Sequence, residues 1–415
     1  MRPIVWMLII GVWLASAIRV GAVEPSKKLQ QYELPELIAL ALERAPVLTA
    51  AEATIAGSQG RLRSTQEYPN PELSAAAGSG RALRGPENRG TEESLRLSQP
   101  LEWIPKRSSR IRAAKQAVVV SDLERKDAVL RVTAGVSTAF YALLGAQREL
   151  ALVRRTLEAV EQLAEIARKR VVAGEAPKFE RVRAEVELQR AIKEVERVRS
   201  RVAQERAGLE AEVGGGLGRV FEVIAEFPEG RGDWSLETLL ESALRAHPLV
   251  QARERQQAER RELLAATRAS RIPDISVFAG FDHDIDRESY RLGLSVPLPI
   301  WSQRQGAIAE ASAATRRGEA ELLQALIDLR KGIIQAFEQY QIGRGQLELF
   351  RRGLLRQAQD SVEIARRSYQ FGEASLLELI DAQRVAFQVT RDYHQAQVEL
   401  ALAITSLERL TGGLP

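Results

Sequence analysis

Two stretches of this chain share the pattern that a long helix needs in order to reverse its direction. The later stretch, 366–383, places Gly372 between two long helical patterns, and the earlier stretch, 169–185, places Gly174 in the same way. Glycine adopts positive φ without strain and often ends a helix, so each stretch predicts a tight turn between two antiparallel helices. Carboxylates follow the later turn at Glu373, Glu378 and Asp381. Two such helical hairpins in one chain constrain the fold more than any other feature.

The two halves of the sequence repeat one order of elements. Each half reads as a short helix, a longer helix, two strands, a very long helix, a glycine turn and a returning helix. Prolines interrupt the short helical patterns at matching places, since Pro46 in the first half corresponds to Pro248 in the second. We therefore predict a mainly α fold with a two-fold internal repeat. The first repeat spans 23–213, a linker spans 214–234, and the second repeat spans 235–415.

The last helix carries an apolar seam that steps three and four residues alternately, which is the heptad pattern of coiled coils. Its members are Ala386, Val389, Tyr393, Ala396, Leu400, Ala403, Leu407 and Leu410. We predict that very long helices, over about 104–172 and 304–371, pack as antiparallel coiled coils against the helices that return from each turn.

Four short segments alternate with a period of two, which predicts strands rather than helices. They span about 72–80, 91–100, 274–283 and 288–298. Their length and alternation fit a small soluble sheet and also a membrane β-barrel. Four strands do not close a barrel around a lumen, and lipid does not tolerate unpaired strand edges. A membrane location would therefore require several copies of the chain to complete one barrel.

Residues 1–22 have the composition of a secretory signal peptide. Arg2 precedes an apolar segment over 4–17, and Ala22 ends the small-residue motif at which we predict cleavage. An uncleaved inner-membrane anchor is the alternative. We expect no later segment to be apolar for the length that a membrane helix needs.

The composition excludes several kinds of site. The chain has no cysteine, so thiol nucleophiles, disulfides and cysteine-bound metals are ruled out. The net charge of +4 comes from interspersed acidic and basic residues, so we do not predict nucleic-acid binding. One polar group suggests either a metal site or, because Asp favours turns, a solvated turn. It comprises Asp282, His283, Asp284 and Asp286. We favour the turn, and we expect no cofactor, no metal site and no catalytic residue.

The hairpin motifs resemble those of the TolC-like outer-membrane efflux family. The resemblance rests on Tyr369, three residues before Gly372, and on the sequence Ser-Leu-Leu-Glu-Leu-Ile-Asp-Ala-Gln over 375–383. It covers nearly the whole chain after the signal peptide. Three further motifs are most similar to the cobalt-zinc-cadmium resistance branch of the family, and they span 68–73, 100–107 and 297–301.

The resemblance implies an assembly as well as a fold. It implies a homotrimer in which four strands from each of three chains form a twelve-stranded outer-membrane β-barrel, joined to a periplasmic α-barrel of helical hairpins. It also implies two partners, a periplasmic adaptor protein and a proton-driven inner-membrane pump. The implied function is a passive exit duct, with divalent heavy-metal cations as its cargo. The alternatives are an outer channel for drugs or for type I protein secretion, and an exported coiled-coil scaffold with a soluble sheet.

Position within the family's motif also implies roles for residues at the tips. Glu378 and Asp381 correspond to an acidic ring at the pore constriction, while Tyr369 and Glu180 correspond to a lock between the tips. Three-fold symmetry would bring copies of a pore-facing carboxylate together, and such rings favour cations. The alternative is that Glu378 and Asp381 are ordinary solvated helix charges, with Glu378 near a helix N-terminus where the dipole favours it.

The sequence departs from the family's pattern at both hairpins. Some members carry an arginine two residues after the second glycine, where this chain has Ala374. In the first hairpin, Arg183 stands where a residue corresponding to Asp381 would be. We therefore expect the tips to be held by a different set of contacts.

Overall fold

The computed structural model describes most of the chain, and its architecture is mainly helical. The described residues are 30–81, 89–218, 220–230, 234–285 and 287–413. The expected signal peptide at 1–22 and the side chain of Asp286 lie outside them.

The first repeat contains four helices and a pair of long strands. In chain order its elements are β1 (Gln30–Tyr32), α1 (Leu34–Arg44), α2 (Pro46–Gln66), β2 (Glu72–Arg81), β3 (Arg89–Leu101), α3 (Ile104–Val172) and α4 (Lys178–Val213). Proline stands in the first turn of α1, α2 and α3, where its missing N–H costs no hydrogen bond. The longest element, α3, has 69 residues, so it extends for roughly 100 Å at 1.5 Å per residue.

The linker and the second repeat follow the same order of elements. They comprise β4 (Phe221–Val223), α5 (Leu236–Ala246), α6 (Pro248–Ala269), β5 (Ile275–Asp284), β6 (Arg287–Ser295), α7 (Gln305–Leu349), a π-helical segment (Phe350–Leu354), α8 (Leu355–Gln370) and α9 (Leu376–Thr411). The expected last strand extended to 298, but β6 ends at Ser295. Pro297 lies just beyond this end and has no N–H with which to continue the ladder.

The very long helix expected over 304–371 is not continuous. A π-helical segment separates α7 from α8, and within it Gly353 has φ 130° and ψ −4°, which is not helical. An extra residue in a helical turn interrupts the regular hydrogen bonds, and only glycine adopts this φ readily. The first repeat has no such break in α3, so the two hairpins differ in the continuity of their long helices.

The four long strands form one antiparallel sheet in the order β2-β3-β5-β6. The central pair, β3 and β5, joins the two repeats, with Leu97 opposite Ala279. Side chains of the apolar set lie on one face in register, and many are exposed in the single chain. They include Leu73, Leu97, Tyr290, Leu292 and Leu294. Among the described residues, the sheet therefore has unpaired edges at β2 and β6 and an uncovered apolar face.

A second, two-stranded sheet lies outside what the sequence pattern predicts. The short strand β1 pairs in parallel with β4, so that Gln30 lies opposite Phe221. The rings of Tyr32 and Phe221 meet edge to face with their centroids 5.9 Å apart. The linker is therefore fixed to the start of the first repeat.

Each repeat has its own core where its helices converge. In the first, Leu37, Phe140 and Phe221 are fully buried. In the second, Ile333 on α7 packs with Leu400 and Leu407 of the heptad seam on α9. A third, smaller core lies at the hairpin tips and contains side chains from both repeats.

The helix α3 contains one segment that is long and apolar enough for a membrane span by composition alone. This differs from the expectation that no later segment would qualify. Of that segment, 39% is buried inside the chain, because α3 packs against α2, α4, α6 and α9. Packing within this chain therefore covers part of the segment.

Candidate functional site

The two hairpin turns have the same backbone geometry. Gly174 and Gly372 both have φ 77°, the left-handed conformation that ends a helix. In each turn the N–H of the residue after glycine donates to a carbonyl five residues earlier, from Glu175 to Arg170 at 2.9 Å and from Glu373 to Ser368 at 2.8 Å. Neither glycine has an atom within 4 Å of the place a Cβ would occupy, so conformation and not crowding requires glycine there.

The tips of the two hairpins are held together by a small apolar core. Its members are Leu163, Ala167, Ala184, Tyr369, Leu376, Leu379 and Ile380. They come from α3 and α4 of the first hairpin and from α8 and α9 of the second. Tyr369 is the largest of them and is only 2% exposed.

The hydroxyl of Tyr369 links the two hairpins directly. It donates a hydrogen bond to Oε2 of Glu180 at 3.2 Å, between α8 and the first turn of α4. Burial raises the pKa of Tyr369, and the nearby Glu180 carboxylate acts in the same direction. The phenol is therefore protonated at neutral pH and remains a donor to the carboxylate.

Arg170 completes this contact from the first hairpin. Its guanidinium lies 4.8 Å from the ring centroid of Tyr369, within the range of a cation–π interaction. The same side chain is 4.0 Å from the carboxylate of Glu175. Sequence reasoning noted that Ala374 replaces an arginine of some relatives, but it did not identify Arg170 as a cation beside Tyr369. Its contact joins two repeats that are distant in sequence, so no local pattern marks it.

Glu378 lies in the first turn of α9, where it forms a capping box with Ser375. The N–H and hydroxyl of Ser375 donate to Oε2 of Glu378 at 2.6 and 3.0 Å, and the Glu378 N–H donates to the Ser375 hydroxyl at 3.3 Å. The hydrogen bond from the Ser375 N–H lowers the pKa of Glu378, and the hydrogen bond from the Ser375 hydroxyl acts in the same direction. This role at the helix N-terminus explains a glutamate at this position in one isolated chain.

Asp381 is exposed on the next turn of α9. Residues three apart lie on neighbouring positions of a helix surface, so Glu378 and Asp381 present two carboxylates side by side. Leu379 and Ile380, between them, are buried in the tip core. The single chain thus places both carboxylates at the tip and pointing away from the contacts between its hairpins.

The first hairpin presents a different surface at its tip. Phe179 is 66% exposed, and the guanidinium of Arg183 lies 5.9 Å from its ring centroid. Arg183 therefore brings positive charge to a turn whose counterpart carries Asp381.

Farther from the tips, one buried carboxylate joins three arginines. Glu149 on α3 is 7% exposed and lies 3.2 Å from Arg197, 3.0 Å from Arg201 and 3.3 Å from Arg391. Two of these arginines belong to α4 and one to α9, so this cluster also connects the two repeats. Sequence reasoning missed it, because nothing in the sequence distinguishes Glu149 from the exposed Glu158 and Glu161 on the same helix.

The polar group near the end of β5 is arranged around side-chain pairs. Asp282 accepts a hydrogen bond from Nε of Arg291 at 2.7 Å, and His283 Nδ1 lies 3.4 Å from Glu288. Within the described ranges, no three Asp, Glu or His side chains converge as a metal ion would require.

The chain matches a family model described as outer membrane efflux protein over residues 37–215 and 239–413. These two segments cover the two repeats.

Two relatives are similar over most of their length. The cobalt-zinc-cadmium resistance protein CzcC of Cupriavidus metallidurans is 25% identical over 374 residues, which cover 88% of this chain and 86% of the relative. The pyoverdine export outer membrane protein OpmQ of Pseudomonas aeruginosa is 23% identical over 408 residues, which cover 92% of this chain and 85% of the relative.

The fold is also similar to solved structures. A crystal structure of CusC, described as forming a transmembrane channel, superimposes with a TM-score of 0.80 at 18% identity and covers 92% of both chains.

Proposed function

Because this chain belongs to the outer membrane efflux protein family, we propose that it is the outer-membrane exit duct of a tripartite efflux pump. The observation that carries the proposal is the match of both repeats to the family, combined with a sheet that has an exposed apolar face and two open edges. The duct has no reaction of its own, and substrate passes through it down the gradient that its partners maintain.

The open sheet supports a homotrimer. In lipid, backbone groups at the edges of β2 and β6 need partners, and pairing one chain's β6 with the next chain's β2 would supply them. Three copies would close a twelve-stranded barrel, well above the eight strands of the smallest membrane barrels. Leu292 and Leu294, which are 83% and 68% exposed, would then contact lipid.

The helical hairpins would form the periplasmic α-barrel of the same trimer. Their tips would close the duct, with Tyr369, Glu180 and Arg170 as the lock within each chain. Glu378 and Asp381 would form the acidic ring at the constriction, since they are exposed beside the tip core and three copies would meet near the axis. A periplasmic adaptor and a proton-driven inner-membrane pump would engage these tips and open them.

We infer that the cargo is divalent heavy-metal cations. The similarity to CzcC supports a metal cargo, and an acidic ring at the entrance would favour cations. The similarity to a pyoverdine export protein supports the alternative of an organic substrate. The inner-membrane pump selects the substrate, so the duct must only permit its passage.

Deletion of the gene tests the function and the cargo together. We expect cells lacking the protein to become sensitive to cobalt, zinc and cadmium, and the intact gene to restore resistance. Sensitivity to dyes and detergents without sensitivity to metals would favour drug export. Unchanged sensitivity to all of these compounds in the strain that normally expresses the protein would argue against an efflux duct.

A further inference from the structure

The strand register separates the long sheet into an apolar face and a polar face. Opposed residues in an antiparallel pair point to the same side, so each register row can be followed across all four strands. One row of the polar face is Ser74, Arg96, Gly280 and Arg291, and the next is Ala76, Ser94, Asp282 and Ser289. These two central rows contain two arginines and one aspartate.

Arg96 is held above an aromatic ring on this polar face. Its guanidinium lies 5.0 Å from the ring centroid of Phe278, which is close enough for a cation–π interaction. Phe278 in turn lies across Gly293, where an added Cβ would be only 2.6 Å from Cζ of the ring. The glycine makes room for the phenylalanine, and the phenylalanine supports the arginine.

Arg291 has a carboxylate partner, whereas Arg96 has none within ion-pair distance among the described residues. Asp282 accepts from Nε of Arg291 at 2.7 Å and also contacts its Nη2. Gly280 lies between the two arginines in their row and adds no side chain there. Arg96 is exposed, and although the Asp282 carboxylate also interacts with it electrostatically, the two central rows together keep one net positive charge.

The other charged residues of the polar face lie nearer its ends. Glu72 is opposite Ser98 at one end, and Glu92, Asp284 and Arg287 are at the other. The positive charge of the central rows is thus local, and it lies within the span of the strands.

We propose that Arg96 forms an anion-interacting band inside the barrel. This inference rests on the proposed function, because it needs the apolar face in lipid and the polar face around a lumen. Three chains would then place three Arg96 guanidinium groups around one axis, and rings of arginine favour anions. Guanidinium groups bind carboxylates and phosphates in a fixed planar geometry, so the ligand class is small anions and anionic complexes.

The band would give the duct two filters of opposite sign. An acidic ring at the tips favours cations at the entrance, and Arg96 favours anions near the exit. A bare cation would lose its electrostatic advantage on passing the band, while a metal carried in an anionic complex would gain one. The band would thus favour cargo that leaves as an anionic complex over cargo that leaves as a bare cation.

Reversal potentials in planar bilayers test the band. The full-length trimer is inserted in a potassium chloride gradient, and Arg96→Gln is compared with Arg96→Lys, which keeps the charge. We expect Arg96→Gln to shift the reversal potential toward that of potassium and Arg96→Lys to remain near the wild type. Equal reversal potentials for the wild type and Arg96→Gln would overturn the proposal, and so would equal shifts in both variants.

A second measurement uses the wild type alone and does not depend on a variant folding. Inorganic pyrophosphate, a small polyanion, should reduce the single-channel current at low ionic strength, where screening is weakest. A single-channel current that pyrophosphate does not reduce would also overturn the proposal. Protein that conducts neither as the wild type nor with its tips loosened by Tyr369→Phe would overturn the duct itself, a result distinct from a channel with unchanged selectivity.

Discussion

At the scale of single residues, Tyr369 makes both polar and apolar contacts between the hairpins. Its ring is buried among leucine, isoleucine and alanine side chains and lies beneath the Arg170 guanidinium, and its hydroxyl donates to Glu180. Burial keeps the phenol protonated, so the donor persists at neutral pH. Its raised pKa means that folding favours the neutral form, so this contribution is present below the ordinary value of 10.0 and is lost as pH rises above it.

Removing that hydroxyl should loosen the tips without disturbing their packing. Tyr369→Phe keeps the ring but loses a hydrogen bond to a charged acceptor, which contributes about 1.5–3 kcal/mol in general. We expect channel openings in bilayers to become more frequent. Tyr393→Phe is the matched control, since it removes a hydroxyl that contacts Gln397 on the same helix. Equal opening frequencies for Tyr369→Phe and the wild type would show that the tips are held by other contacts.

Glu378 has a capping role and a proposed pore role, and two substitutions separate them. Glutamine can also complete a capping box, so Glu378→Gln should keep the helix start and lose the charge, whereas Glu378→Ala should lose both. We expect Glu378→Gln combined with Asp381→Asn to weaken block of the channel by zinc ions. Unchanged block would place these carboxylates away from the constriction.

The pH dependence of the cap follows from the lowered pKa of Glu378. A depressed pKa means that the ionised form is favoured in the folded state, so the cap's contribution is present above the ordinary value of 4.5 and is lost as pH falls below it. Amide protection factors at the start of α9, corrected for the intrinsic pH dependence of exchange, should therefore fall on acidification in the wild type. Glu378→Gln, which has no titrating group there, should show less change.

At the scale of elements, the two hairpins are built alike but differ in the continuity of their long helices. The first hairpin has an uninterrupted α3, and the second has the π-helical segment at 350–354 between α7 and α8. The buried Glu149 and its three arginines connect the hairpins above the tips. We expect the break in the second hairpin to let its tip move against the first, while the Glu149 cluster holds the two hairpins together.

Substitution of Gly353 tests whether the π-helical segment sets the position of the second tip. The φ of 130° at Gly353 is rarely adopted by other residues, and a Cβ there would contact nothing within 4 Å, so Gly353→Ala acts through backbone conformation alone. We expect it to straighten the helix and move the second tip relative to the first. Spin labels at Ala173→Cys and Gln370→Cys would report the distance, since the chain has no other cysteine.

Gly345 supplies the matched control for this experiment. It also has open space around its Cβ position, but it lies in the regular part of α7. Gly345→Ala should leave the label distance unchanged and stabilise the helix by roughly 0.5–1 kcal/mol. The same distance distribution in Gly353→Ala and Gly345→Ala would contradict a hinge at the π-helical segment.

At the scale of the whole molecule, the chain is an outer-membrane protein with a long periplasmic helical part. The sequence predicted the features that depend on local pattern. The mainly helical fold was predictable from the helical period and from the alternation in the strands. The family was predictable from the resemblance at 369–383. These patterns are visible because each is repeated over many neighbouring residues.

Contacts between distant segments could not be predicted in this way. The β1–β4 pairing uses strands of only three residues, and the Glu149 cluster and Arg170 join elements from different parts of the chain. The π-helical segment also left no periodic signal, because Gly353 resembles other glycines that stay within regular helix, such as Gly345. Only the folded arrangement distinguishes these residues from their neighbours.

The oligomeric state tests the central claim most directly, because a single chain with two open strand edges cannot form the proposed duct. The measurement is the mass of the intact assembly, by native mass spectrometry, after extraction from isolated outer membranes in detergent. The account predicts a homotrimer that is found in the outer-membrane fraction and survives extraction. A soluble periplasmic monomer would contradict it.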